Sequence, residues 1–347
     1  MKYNFGSDNY SGVHPRFMEA IAEANNGCAP AYCEDHYSHM AVAEFKKAFG
    51  ENIDVFFVFN GTGANCASIR LMSQNFNSVI CSEVAHIYID ESSAPETMGG
   101  TRLVPLKSTN GKISAAQVEE CFASSTGTQH HTQPKLVSIT QPTELGTLYT
   151  KDEIRDIAAV AHKYGGYLQV DGARLANAAA AMGCSYKEMT IDLGVDIMSF
   201  GGTKNGMMMG EAVVISKDRF CHSSNFPYVR KSLGQLYSKM RFVSAQFNAY
   251  LKDDFGISLA SHANDMAAYL SEQIKAHVPE IEVAFGVDTN AVFVVMSPEV
   301  VEQMHKKYAF YVWREDLNLV RLMCPFSTDK QIIDEFVADL KVALSQV

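Results

Sequence analysis

The sequence predicts an α/β protein: a large domain built on a mostly parallel central sheet, followed by a small C-terminal α+β domain. Three observations lead there. From about residue 50 to about residue 220, short apolar runs alternate with amphipathic stretches, the pattern of βαβ units. The chain has 347 residues, enough for about two domains at roughly 150 residues each. Its residues are 47% hydrophobic and 20% charged, a composition that argues against disorder, collagen or a coiled coil.

Taken in order, Pro15 suits the first position of a helix, where its missing N–H costs nothing, and Phe17, Met18 and Ile21 then share one face. Ser38 is placed to cap a second helix that ends at Gly50. Strands are expected at Val55–Phe59, Val79–Cys81, Arg102–Leu106, Leu136–Thr140, Tyr167–Val170, Ile197–Phe200 and Ala212–Ile215, with helices such as Lys151–Lys163 between several of them. Runs this uniformly apolar suit strands covered on both faces, hence a parallel sheet. A long helical pattern from Val229 to about Phe255 follows. After Gly256 come a further helix, strands at Val283–Phe285, Val292–Met296 and Leu319–Leu322, and a closing helix from about Thr328. The boundary is set near residue 255: residues 1–255 form the N-terminal segment and large domain, and 256–347 the small one. Without a repeat, low-complexity tract or long polar linker, the two should pack together.

With 29 Lys+Arg against 39 Asp+Glu, the net charge is −10. An acidic chain lacking a basic block has no footprint for a phosphate backbone or an anionic membrane, so neither nucleic acid nor membrane is an expected partner. No stretch approaches the ~18 apolar residues that span a bilayer, and MKYNFGSDNYSG has no apolar segment behind a basic start. A cytoplasmic protein is expected. The eight cysteines (28, 33, 66, 81, 121, 184, 221, 324) form no CxxC pair and sit mostly in apolar segments, so they read as buried thiols. Cys28 and Cys33 are close in sequence but have no histidine at zinc-finger spacing, and no metal site is expected.

Three motifs bear chemistry. The first, Asn60-Gly61-Thr62-Gly63-Ala64-Asn65, directly follows the VFFVF run and opens a helix. Glycines there bring backbone N–H groups close to an anion at the helix N-terminus, where the dipole favours negative charge. The same residues also suit an ordinary tight turn. Glu83 stands about 20 residues on at a strand end, as in a dinucleotide fingerprint, but Cys66 replaces that fingerprint's third glycine. The second motif is Gln169-Val170-Asp171-Gly172-Ala173-Arg174. Its Asp ends a parallel strand, pointing into the crevice where such sheets bind ligands, or it caps the next helix. The third is Met198 to Gly206, a strand entering a Gly-rich loop with the single lysine Lys204. A partly desolvated lysine of lowered pKa suits Schiff-base chemistry, whereas an exposed loop lysine is simply solvated.

Their order outweighs any one of them: an anion loop, a strand-end Asp and a Gly-flanked Lys on successive strands of one sheet. Pyridoxal phosphate needs these three functions, an anion hole, a carboxylate that keeps the pyridine nitrogen protonated, and an imine-forming lysine. Through FGSDNYSGVHP, FNGTGAN, SEVAHI, QPTELGTLY, LQVDGARLANA, SFGGTKNG, RKSLGQLYSKMRF and NLVRLMCPFST, the chain resembles, nearly end to end, the low-specificity threonine aldolases among the fold-type-I pyridoxal-phosphate enzymes.

That resemblance implies roles at the matching positions. Lys204 would form the imine with the cofactor, Asp171 would pair with the pyridine nitrogen, and Arg174 would approach the ring's phenolic oxygen. Gly61, Thr62 and Gly63 would hold the phosphate, and His86 would stack on the pyridine face. Ser7 and Arg321 would bind the substrate's α-carboxylate, while Arg230 and Lys231 would reach a neighbouring subunit's cofactor phosphate in a homodimer or homotetramer with shared sites. Many relatives have a histidine where Glu144 aligns. The base that deprotonates the β-hydroxyl would then be Glu144, His86 or a water between them; His130 and His131 read as part of a loop. The implied reaction is cleavage of L-threonine, L-allo-threonine and other β-hydroxy-α-amino acids to glycine and an aldehyde. The competing readings are a β-eliminating lyase or aminotransferase on the same scaffold, a dinucleotide-dependent oxidoreductase using GTGAN and Glu83, and a non-catalytic relative.

Overall fold

A computed structural model describes residues 3–219 and 222–346; Cys221 lies outside the described residues. After the short strand β1 (Tyr3–Asn4) come β2 (Ile53–Val58), β3 (Asn77–Ser82), β4 (Arg102–Leu106), β5 (Gln133–Thr140), β6 (Tyr167–Gly172), β7 (Ile197–Gly201) and β8 (Glu211–Ser216). These seven, β2 to β8, form one sheet in the order β2-β8-β7-β6-β5-β3-β4. Only β8 runs against its neighbours, pairing antiparallel with both β2 and β7; the other pairings are parallel. The mostly parallel sheet expected from the apolar runs is therefore present.

Strand side chains alternate between two cores. Val137, Ile139, Leu168, Val170, Met198 and Phe200 face one, with the helices His36–Phe49, Lys151–Lys163 and Arg241–Leu251. Leu136, Ile197, Val213 and Ile215 face the other, with the helices Gly61–Met72 and Phe226–Ser232. In the first core, Phe200 meets Phe45, Phe49, Tyr186 and Tyr250 edge-on. Such contacts add about 0.5–1.5 kcal/mol each beyond burial and make β7 a stiff base for the Lys204 loop.

The C-terminal part holds an antiparallel sheet of β9 (Ala291–Val295), β11 (Tyr311–Arg314) and β12 (Leu319–Met323), in the order β11-β12-β9. Strand β10 (Tyr308–Ala309) instead pairs with β1. Phe5 accordingly joins the C-terminal core with Leu270, Val294, Leu322 and Phe336.

Several local expectations shift. Asp35, not Ser38, caps the helix His36–Phe49: its carboxylate accepts the Ser38 N–H at 2.9 Å and hydroxyl at 2.8 Å. In the helix Pro15–Ala24, Phe17 is buried but Met18 is 45% exposed, since one residue of rotation turns it off the core-facing stripe. The continuous helix from Val229 to Phe255 is three pieces, Phe226–Ser232, Arg241–Leu251 and the start of Phe255–His277. Gly234 breaks the first at φ +71, and Asp253 and Asp254 break the second at φ +57 and +53. The strand at Val283–Phe285 reduces to a single bridge, Val283 to Val294.

Candidate active site

Because β2, β3, β5, β6 and β7 run the same way, their carboxyl ends share one edge of the sheet with the amino end of β8. From that edge emerge the Gly61 loop, His86, Glu144, Asp171, Lys204 and Glu211. The two ends that matter most are adjacent, and Gly201 lets them close: a Cβ there would come within 2.2 Å of the Ala173 carbonyl oxygen.

Asp171, in register with Ser199 of β7, is buried, and its carboxylate accepts three hydrogen bonds. Oδ1 accepts the Ala173 N–H at 3.0 Å and the Ser199 hydroxyl at 3.3 Å, and Oδ2 accepts Asn65 Nδ2 at 2.8 Å. It does not cap the next helix, Leu175–Met182, whose N-cap is Arg174 without a side-chain cap bond. A carboxylate oriented by three neutral donors is fixed in place to meet a cation.

The helix Gly61–Met72 is capped by Asn60, whose Oδ1 accepts the Gly63 N–H at 2.8 Å. Gly61 and Thr62, half-buried, form its first turn, with backbone suited to an anion. Gly63 is covered by Gln235: a Cβ there would meet the Gln235 amide carbon at 2.1 Å, while Gln235 Oε1 accepts the Phe59 N–H at 3.0 Å.

Lys204 lies in a tight turn, Thr203–Asn205, anchored on each side. Gly202 N–H donates to Glu211 Oε2 at 3.0 Å, Asn205 Nδ2 to Tyr250 Oη at 2.8 Å, and His14 N–H to the Gly206 carbonyl at 2.9 Å. Burial, then the nearby Arg174 charge, lowers the Lys204 pKa, against the pull of Asp8, Asp171 and Glu211. Burial also raises Glu211 to about 7. A partly desolvated amine of lowered pKa suits imine formation.

His86 opens a short helix, and its Nδ1 lies 2.9 Å from Glu91 Oε1. That bond is the main reason its pKa is raised, with Asp171 adding and burial and Lys204 opposing. Glu144 accepts the His86 backbone N–H at 2.8 Å and the Thr140 hydroxyl at 2.7 Å, and burial raises its pKa despite both bonds.

The N-terminal segment closes the site. Asp8 takes a two-pronged bond from Arg174, Nε at 2.6 Å and Nη2 at 2.9 Å. Ser7 is buried beside it, its Oγ accepting the Asn9 N–H at 3.2 Å. Arg321 donates to the Gly6 carbonyl at 3.3 Å, with its guanidinium 4.7 Å from the Trp313 ring centre. Tyr10 and Tyr311 join by their hydroxyls at the rim.

Ser7, the Gly61 loop, His86, Glu144, Asp171, Arg174, Lys204 and Arg321 are thus linked by shared partners and charges at one edge. Arg230 stands apart: it is buried and turned inward, donating to the Phe57 carbonyl at 3.0 Å and to Cys33 at 3.6 Å. Lys231 is exposed, over the Tyr32 ring. His130 and His131 lie in an exposed turn before β5, and Glu83 is exposed, accepting the Ser108 N–H at 3.1 Å. The Gly61 loop follows an edge strand whose neighbour is antiparallel, not the crevice of a dinucleotide fold. Of the cysteines expected to be buried, Cys66, Cys81 and Cys324 are, whereas Cys28 is exposed. Asn65, Glu91, Gln235, Glu211 and Asp8 are the partners sequence reasoning missed. Asp8 and Asn65 stand inside FGSDNY and GTGAN, but Glu91 and Glu211 have no local signal.

The sequence profile of the beta-eliminating lyase family matches residues 4–299. The low-specificity L-threonine aldolase of Pseudomonas sp. (strain NCIMB 10558) is 39% identical over 343 residues, covering 98% of each chain. That of Pseudomonas aeruginosa is 38% identical over 342 residues, covering 98% of this chain and 97% of the relative. The solved structure of Leishmania major threonine aldolase superposes with a TM-score of 0.91 at 29% identity, covering 98% of this chain and 99% of that one.

Proposed function

The chain belongs to the beta-eliminating lyase family and, within it, to the low-specificity L-threonine aldolases, and we infer that it is a pyridoxal-phosphate-dependent carbon–carbon lyase. It cleaves L-threonine, L-allo-threonine and related β-hydroxy-α-amino acids to glycine and an aldehyde. The observation that supports this most is the pairing of a half-buried amine of lowered pKa, Lys204, with a buried carboxylate that accepts three hydrogen bonds, Asp171, at the ends of adjacent strands.

The residues present fit the cofactor. Asp171 would hold the ring nitrogen, Lys204 the aldehyde carbon, His86 the ring face, Arg174 the phenolic oxygen, and Gly61 and Thr62 the phosphate. Gly63 is not among them, since its N–H is already taken by Asn60 and it is covered by Gln235. When bound, pyridoxal phosphate supplies the sink for the electrons of the bond that breaks. Asp171 would keep that sink cationic. Arg321 and Ser7 bind the substrate carboxylate, and this clamp sets the Cα–Cβ bond at the angle cleavage needs. Glu144 takes the β-hydroxyl proton, directly or through water, and the aldehyde leaves. A proton delivered to Cα completes glycine.

The enzyme is a homo-oligomer, dimer or tetramer, in the same reading. Tyr32, Phe59 and Tyr237 are exposed apolar side chains. They are joined to one another through Ser238, Gln235 and the Phe59–Tyr237 contact, beside Lys231 and the anion loop. A second copy covering this patch would bring Lys231 to its neighbour's phosphate. Its partner is a small amino acid, and its place is the cytoplasm; among the described residues no helix is long and apolar enough to cross a membrane.

The test is product identification with L-threonine and a panel of amino acids. Glycine and acetaldehyde in equal amounts are expected; pyruvate and ammonia, or a keto acid, would assign β-elimination or transamination instead.

A further inference from the structure

Glu91 has no role in the reaction as described, yet it is 4% exposed and lies among the groups that face the cofactor site. Its Oε1 is 2.9 Å from His86 Nδ1 and accepts Asn65 Nδ2 at 2.9 Å. The same Asn65 nitrogen donates to Asp171 Oδ2 at 2.8 Å, while Asn65 Oδ1 accepts Gln169 Nε2 at 3.1 Å. The two carboxylates, which only accept, fix which end of the Asn65 amide is the donor, and Gln169 follows by donating to the other end. His86, Glu91, Asn65 and Asp171 form one continuous chain, running from the group placed for the ring face to the group placed for the ring nitrogen.

We propose that Glu91 is a positioning residue that fixes the proton of His86 on Nδ1 and, through Asn65, ties that imidazole to the Asp171 carboxylate. The proposal rests on the site reading above. An ionised carboxylate only accepts hydrogen bonds, so the His86 nitrogen facing it must carry the proton. Nε2 is then the nitrogen free to turn toward a ligand. Glu91 Oε2 is buried without a hydrogen-bond partner among the described residues. A half-satisfied buried carboxylate is costly unless a positive charge stands beside it, and protonated His86 supplies that charge.

The groups facing His86 are Glu91 and Asp171, which favour its charged form, and Lys204, which opposes it; Glu144 meets it only through the backbone N–H. Glu91 is the one among them in direct contact with the ring. It thereby separates two duties on one short stretch of chain: His86 is held as an oriented donor, and Glu144 is left as the acceptor. Losing Glu91 would free the imidazole to rotate, exchange its tautomer and stop reporting to Asp171.

The test uses the full-length protein with isotope-labelled histidine, following the His86 ring by NMR across pH in the wild type, Glu91→Gln and Glu91→Asp. In the wild type, Nδ1 should be protonated throughout. In Glu91→Gln the titration midpoint should fall by about one unit or more, and kcat should fall while KM for L-threonine stays near the wild-type value. Glu91→Asp, which keeps the charge, should recover part of both. A wild-type His86 with its proton on Nε2 and a bare Nδ1 would overturn the proposal without any variant. So would an unchanged His86 midpoint in Glu91→Gln. If the midpoint shifts as expected but the wild type forms no glycine from L-threonine, the assigned reaction fails and the role of Glu91 stands.

Discussion

Glu144 and His86 are joined through the main chain: the Glu144 carboxylate accepts the His86 backbone N–H at 2.8 Å, while the His86 ring turns to Glu91. Two groups eligible to move a proton thus stand side by side without touching ring to carboxylate. Their surroundings raise both pKa values for different reasons, that of Glu144 by burial and that of His86 by a carboxylate partner.

This division makes a prediction about the base. Burial raises the Glu144 pKa, so the basic form appears only as pH rises through a value above the ordinary carboxylate range, and the acid limb of kcat/KM should sit there. Glu144→Gln should lose roughly 10²–10⁴ in kcat. His86→Phe keeps an aromatic face and should lose less. A nearly dead phenylalanine variant beside an active glutamine variant would make the imidazole the base.

Lys204→Ala should fold, since the turn is held by Gly202, Asn205 and Gly206 rather than by the lysine side chain. It should no longer attach pyridoxal phosphate covalently. Borohydride reduction of the wild type followed by peptide mapping checks this, and a tag on another lysine would move the site.

Asp171→Asn should retain the fold and bind cofactor, because an amide oxygen can still accept from Ala173 or Asn65. It should lose most of its turnover, because a neutral amide cannot keep the ring nitrogen protonated. Rates measured at saturating cofactor decide the matter; an unchanged rate would leave Asp171 a purely structural acceptor.

Arg321→Leu should raise KM for L-threonine and lower kcat together, since the guanidinium fork both binds and orients a carboxylate. Arg321→Lys should rescue little, because the planar fork also lies against Trp313 and Tyr311. Steady-state kinetics of the two variants suffice, and near-normal kinetics in the leucine variant would refute substrate contact.

Asp8→Asn should destabilise the protein by about 3–5 kcal/mol at neutral pH, the cost of leaving a buried charge without its partner. Burial alone would raise the Asp8 pKa, but Arg174 outweighs it and the net position is below 3.8. A depressed carboxyl contributes stability above its unfolded pKa and loses it as pH falls through the folded one. The gap between wild type and variant in urea denaturation should therefore be full at pH 7 and narrow only below pH 3.8. A gap that is constant across that range would show that the ionised pair is not its source.

The seven strands of the large sheet, its mostly parallel order and the Asn60, Asp171 and Lys204 motifs were legible in the sequence because each is a short-range pattern. Apolar runs, glycines beside a strand end and a lone loop lysine are defined within a few residues. The breaks at Gly234 and Asp253 were harder to read: helical periodicity continues across them, and the positive φ values are held by the surrounding fold.

What only the tertiary structure decided are the pairings across the chain. Arg174 and Asp8 are 166 residues apart, Asn65 and Asp171 106, and Arg230 and Phe57 173. Local propensity contains no information on such distances. They follow from strand order, which puts β2 beside β8 and brings the helix Gly61–Met72 over β6 and β7. The sequence by itself determined which chemistry-bearing residues stand at strand ends; the order and direction of those strands decided which carboxylate faces which cation, because electrostatic partners are selected by distance in space and burial.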